Sequence, residues 1–145
     1  MESDEALELW LRAQPRILTR DPVWRMEAYR IAAFCVHLAW ADVSALARHP
    51  LTVNIARQLY DALDSIPSNL GEGYSRSSGR DRVRFYEYAL GSARECVCHY
   101  QSALPVLGAP IALERQTRLR SIVRLLSVAI PAERRRRIDI RRPPP

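Results

Sequence analysis

The residues with the most chemical potential are Cys96, Cys98 and His99, set together in one short stretch. Cys96 and His99 are three positions apart, so on a helix they share a face that a metal ion could bridge. A structural zinc site needs four ligands, usually in pairs. Cys35, His37 and His49 supply no second pair at such spacing. A thiol nucleophile needs a base and a third group that orients the base. Cys96 or Cys98 with a histidine and Glu95 do not assemble that set, because neighbours along a helix point in different directions. Neither a glycine-rich phosphate loop nor an HExxH helix occurs. The expectation is a protein without catalytic residues, metal or cofactor, whose three cysteines are reduced thiols.

Arginine is the other candidate for chemistry. Every one of the 22 basic residues is Arg. Residues 1–110 hold 12 Arg and 13 acids, whereas residues 111–145 hold 10 Arg and 3 acids, so a charge of +7 sits in the last quarter. A guanidinium offers planar, bidentate donors that suit phosphate. Arg76, Arg80, Arg82 and Arg84 cluster where a helix should begin, and exposed amides there also favour anions. Arg118, Arg120 and Arg124 should decorate the outside of a later helix. Arg134, Arg135, Arg136 and Arg137, then Arg141 and Arg142, form a terminal run with no interleaved Tyr or Trp. Such a run neutralises phosphates without stacking on bases. The expected nucleic-acid contacts are these arginines, Arg82 aside. The competing reading is a solvated face and a solubilising tail, or a contact with an acidic protein.

These side chains must be positioned by helices. Apolar residues recur at spacings of three and four, and no alternating strand pattern occurs. Residues 1–21 read as an N-terminal extension, in which Leu7, Trp10 and Leu11 could dock on the fold or on a partner. The first long helix is expected from Pro22 to about Ala47, with Asp21 as N-cap. It carries two apolar stripes, Trp24–Ala28–Ile31–Cys35–Leu38 and Met26–Tyr29–Ala33–Val36–Trp40–Val43. Burial on two sides points to a homo-oligomer. A second helix runs from near Leu51 to Gly73 with a kink at Pro67. A third begins after Ser78 and reaches about Leu104, with Gly91 and Ser92 small enough for a close helix approach. A fourth covers 111–130 and is expected to stop at Pro131. The fold class is therefore all-α, an up-down four-helix bundle of long antiparallel helices spanning 22–131. Residues 132–145 are expected to form a basic, disordered Arg/Pro-rich tail.

The acidic start, Met1-Glu2-Ser3-Asp4-Glu5, is not the basic-then-apolar pattern of a secretory signal. The longest apolar run, Ile31 to Ala41, is shorter than the roughly 20 residues that span a bilayer. The expected location is the cytoplasm, with no membrane association.

The stretch Ser65-Ile66-Pro67-Ser68-Asn69-Leu70-Gly71-Glu72-Gly73-Tyr74-Ser75-Arg76 resembles the "SIPSNIAEGxxR" signature of the bacterial 23S rRNA intervening-sequence proteins. Arg84-Phe85-Tyr86-Glu87-Tyr88-Ala89-Leu90-Gly91-Ser92-Ala93-Arg94-Glu95 resembles the same family's "RFLxIAxGSxxE" helix. The resemblance implies a non-enzymatic four-helix bundle, related in fold to the accessory variability determinant of diversity-generating retroelements. It further implies a homopentamer, RNA in preference to DNA as partner, and a reverse transcriptase as the alternative partner. Within the signature, Ser65, Pro67, Ser68, Asn69, Glu72 and Gly73 read as a structural joint. There Ser68 and Asn69 repair the proline break, and Gly71 and Gly73 allow close packing. Gly71 departs from the family's usual Ala, and both chain ends lie outside the family pattern.

Overall fold

In the computed structural model, residues 2–140 are described, with side chains described from 4 to 136. The secondary structure of the described residues is helical, with no strand among them. The elements are α1 (Glu2–Arg12), α2 (Arg16–Thr19), a 3-10 turn (Pro22–Arg25), α3 (Glu27–Ala47), α4 (Val53–Tyr74), α5 (Gly79–Ser102), α6 (Leu104–Leu107) and α7 (Ala109–Ile140). Helix α3 packs on α4, α4 on α5, α5 on α7, and α7 back on α3.

The apolar spacing explains which faces meet. Leu59, Leu63, Ile66 and Leu70 of α4 are fully buried, as are Ala89, Ala93 and Cys96 of α5 and Leu119, Ile122 and Leu126 of α7. Helix α3 contributes Ala28, Ile31, Ala32, Cys35, Ala39 and Leu46. By length and composition α3 is apolar enough to cross a membrane, and these six residues spend that apolarity inside the fold. Burial of each large aliphatic side chain contributes about 1.5–3 kcal/mol.

Three boundaries differ from the expected ones. Asp21 does cap, its Oδ1 accepting from the Val23 amide at 2.9 Å, but it caps the 3-10 turn. Met26 is extended, and the long helix begins only at Glu27. The Trp24 carbonyl, turned out of the helix, accepts from Arg30 Nη1 at 2.8 Å. Between α5 and α7, the expected loop contains the short α6 and then Gly108, whose φ of +83° only glycine adopts readily.

The largest correction concerns Pro131. It lies inside α7, which continues to Ile140, so the helix does not stop there. A mid-helix proline forfeits one backbone bond and crowds the preceding turn. Here the next turn is tied to α5 by the ion pairs Arg82–Glu133 and Arg134–Glu87, which offset part of that loss. Residues 141–145 lie outside the described residues.

The N-terminal segment docks on its own chain. Leu7 packs against the core, and the Trp10 ring lies 5.3 Å from Phe34 and 5.7 Å from His37. Part of the apolar surplus on α3 is thus covered from within. The Trp40 side is not: Trp40 is 68% exposed, with the Tyr60 ring edge-on to it at 6.0 Å.

Candidate nucleic-acid interface

The signature between Ser65 and Arg76 is a joint between helices. Helix α4 runs unbroken through Pro67. Ser65 Oγ donates to the Ala62 carbonyl at 2.7 Å and meets Ser92 Oγ of α5 at 2.7 Å. Asn69 Nδ2 donates to the Ser65 carbonyl at 2.8 Å. These bonds reach the carbonyls of Ala62 and Ser65 and not that of Leu63, the one Pro67 leaves without its helical donor, while the Ser68 side chain is exposed and makes no hydrogen bond among the described residues. Glu72 pairs with Arg76 four residues on. Gly73 is the true close approach, since a Cβ there would lie 2.9 Å from both Phe85 Cβ and the Tyr86 ring. At Gly71 the nearest atom is an ordinary 3.8 Å away, and at Gly91 nothing lies within 4 Å. The expected close packing at Gly71 and Gly91 is therefore absent, and Ser92 alone meets α4.

The joint sets where the arginines go. It turns the chain so that the start of α5 lies beside the far part of α7. Arg82 folds inward, bonding Glu133 and donating from Nη2 to the Arg76 carbonyl at 2.9 Å. Arg134 pairs with Glu87. Two arginine groups about fifty residues apart in sequence thus meet at one end of the molecule. Segments 72–87 and 133–136 together hold seven arginines and four acids, a net +3. Between them lies a concavity of about 590 Å³, with Arg80, Arg84 and Arg134 around it and Ser78, Asp81 and Glu87 among its walls. Ser78 caps α5, its Oγ accepting from the Asp81 amide at 3.5 Å.

Arg120, Arg124 and Arg135 are exposed on α7 and form no ion pair among the described residues, and Arg124 borders a concavity that Asp4 and Glu27 also line. They lie within roughly 60° of one another around the helix, on a turn of 100° per residue. Arg136 is exposed, 3.6 Å from Glu133. The side chain of Arg137, and Arg141 and Arg142 entirely, lie outside the described residues.

Arg118 does not belong to this surface. It is 7% exposed, pairs with Glu114, and lies over the Phe34 ring. It flanks a buried polar network that sequence reasoning missed. Tyr100 donates its hydroxyl to Asp42 Oδ2 at 2.9 Å, and Arg115 Nε donates to the same oxygen at 2.8 Å. Arg115 also pairs with Glu114. Burial works against the Arg115 charge, but the bonds from Asp42 and Glu114 outweigh it and hold its pKa above the ordinary guanidinium value. The available signal was the position of Asp42, seven residues after Cys35 on the core stripe of α3.

The thiols separate by environment. Burial pushes Cys35 up to about 12 and raises Cys96 as well, whereas Cys98 is exposed. Among the described residues no cluster of His, Cys, Asp and Glu could hold a metal ion.

Residues 27–107, α3 through α6, match the 23S rRNA-intervening sequence protein family. The chain belongs to that family. No curated protein and no solved structure matches it. The family match takes in the joint together with Arg76, Arg80 and Arg84. The docked α1 and the arginine-bearing α7 lie outside the matched residues of this intervening-sequence protein.

Proposed function

We propose that this intervening-sequence protein is a non-enzymatic, oligomeric nucleic-acid-associated protein that takes RNA in preference to DNA. The observation that carries this reading is the gathering of Arg80, Arg84 and Arg134 around one concavity, with exposed Arg120, Arg124 and Arg135 adding basic surface along α7. Phosphate contacts of this kind give affinity without reading sequence. The four long helices, each packed on its two neighbours, are read as an up-down bundle that serves as a rigid bearer of this face.

Assembly is supported by the outer side of α3. Tyr29, Ala33 and Val36 line a groove of about 420 Å³ with Pro67 and Gly71, and exposed Trp40 continues the same stripe. A second copy of the chain is the proposed occupant, and a closed ring is the proposed form. Basic faces repeated around a ring would raise affinity through avidity.

The test is RNA binding by the full chain across a salt series from about 50 to 200 mM. Binding should weaken steeply, with a log–log slope near −0.7 for each phosphate engaged on single strands. Replacing Arg120, Arg124 and Arg135 together with Gln should make the slope shallower by about two. A flat salt response, or no binding at low salt, would sink the reading.

A further inference from the structure

The corner between α4 and α5 carries aromatic rings among its arginines, which the terminal arginine run lacks. Phe85 is half-buried and lies between two guanidiniums. Arg76 Cζ is 5.0 Å and Arg84 Cζ 5.5 Å from its ring centroid. Tyr88 meets Phe85 edge-on at 5.9 Å, with an interplanar angle of 90°. Tyr88 is 51% exposed, and Tyr74 at the end of α4 is exposed as well.

Helical spacing extends this corner into a strip. Arg80, Arg84 and Tyr88 follow one another at intervals of four on the outer face of α5, and Gly91 comes one turn after Tyr88. A Cβ at Gly91 would meet no atom within 4 Å, so the fold does not require glycine there. An exposed helix-interior glycine destabilises by about 1 kcal/mol relative to Ala. What glycine does provide is a floor without a side chain beside the Tyr88 ring, open to a flat ligand.

We propose that Tyr88, backed by Phe85 and floored by Gly91, stacks an unpaired nucleobase of single-stranded RNA, while Arg76 and Arg84 contact the phosphates on either side. This inference rests on the nucleic-acid reading above and adds the strand form of the ligand. A phosphate-only surface accepts duplex and single strand alike, whereas a stacking ring needs a base free of its partner. Arg76 and Arg84 lie over the Phe85 ring, which meets Tyr88 edge-on, so a phosphate beside a base on Tyr88 comes within their reach, Arg76 exchanging its pair with Glu72 for it. Tyr88 has the exposure to accept that base without any rearrangement of the core.

The experiment is fluorescence anisotropy on the full chain with three labelled RNAs of equal length: a single strand, the same strand made abasic throughout, and a duplex. The single strand should bind about tenfold more tightly than its abasic form, in keeping with the usual worth of one base–aromatic stack. Tyr88→Ala should erase that difference while leaving the abasic affinity unchanged. Tyr88→Phe should retain it. Equal affinity for the intact and abasic strands, or a Tyr88→Ala variant with an undiminished preference, overturns the stacking site. If all three RNAs bind equally and with strong salt dependence, the basic-face reading stands and this one falls. If none binds, both fall.

Discussion

The guanidinium of Arg118 lies over the ring of Phe34, with Cζ 4.7 Å from the ring centroid. That contact joins α7 to α3 and turns an expected phosphate ligand into an internal tie. A cation over an aromatic face contributes about 0.5–2 kcal/mol, more as water is excluded. Arg118 also bonds Glu114, whose other partner is Arg115 of the Asp42 network. Arg118→Ala should therefore lower stability by about 2–4 kcal/mol, because it leaves a partly buried carboxylate short of a partner. Chemical denaturation measures the loss. Folded Arg118→Ala protein should bind RNA with the wild-type salt slope, and a reduced slope would return Arg118 to the binding surface.

The glycines of the signature should respond in opposite directions. Gly73→Ala places a methyl 2.9 Å from Phe85 Cβ, which is not the movable end of a side chain. Overpacking of this kind destabilises by about 1–3 kcal/mol. Gly71→Ala meets only the Tyr29 ring at 3.8 Å. It should stabilise by up to about 1 kcal/mol through helix propensity. Thermal melts of the two variants settle the matter, and the same sign for both would show that α4 and α5 are not in the register described.

The division between these positions shows what the sequence could reveal. Apolar spacing is local, so the buried faces of α4, α5 and α7 were legible from Leu59–Leu70, Tyr86–Tyr100 and Leu119–Ile130. Pairing across helices is not local. Nothing near Pro131 announces that Arg82 and Glu87 of α5 will hold the next turn by pairing with Glu133 and Arg134, so local spacing alone predicts a stop. Nothing near Arg118 announces Phe34. The same limit applies to Trp10, whose place on α3 depends on a ring in another helix. For the candidate site, the arginine clusters were visible as clusters, but their meeting at one end needed the fold. In the sequence, the aromatic corner at Phe85 and Tyr88 is only part of a helix signature, because its exposure depends on how α4 and α5 pack.

The thiols give a pH-dependent prediction. Burial raises Cys35 from 9.0 to about 12. Below pH 9 the thiol is neutral in both folded and unfolded chains, and its contribution to stability is fully present. As pH rises from 9 towards 12, the unfolded chain releases the proton and the folded chain does not, so stability is lost. The melting temperature should fall across that interval, and the fall should be shallower in Cys35→Ala. The slopes are compared, since removing a buried side chain also lowers the baseline. Near neutral pH, a thiol reagent should modify Cys98 in the folded protein and reach Cys35 and Cys96 only on unfolding. Parallel slopes, or rapid labelling of all three, would contradict the burial described.

Trp40 offers the sharpest test of assembly. It is the most exposed residue of the second apolar stripe on α3, and the chain's own N-terminal helix covers the opposite flank, at Phe34, instead. A Trp left in water forgoes a large burial gain, and large exposed aromatics are favoured anchors at protein interfaces. Trp40→Glu places a charge within that stripe and gives up the edge contact with Tyr60. Surface changes of this kind usually shift monomer stability by no more than about 0.5 kcal/mol. Sedimentation should therefore find the wild-type chain assembled and the Trp40→Glu chain monomeric, with unchanged helical content. RNA affinity should fall with assembly, because avidity across copies is lost while each basic face remains. A wild-type chain that sediments as a monomer at micromolar concentration would remove the ring. An assembled Trp40→Glu chain would move its interface away from α3.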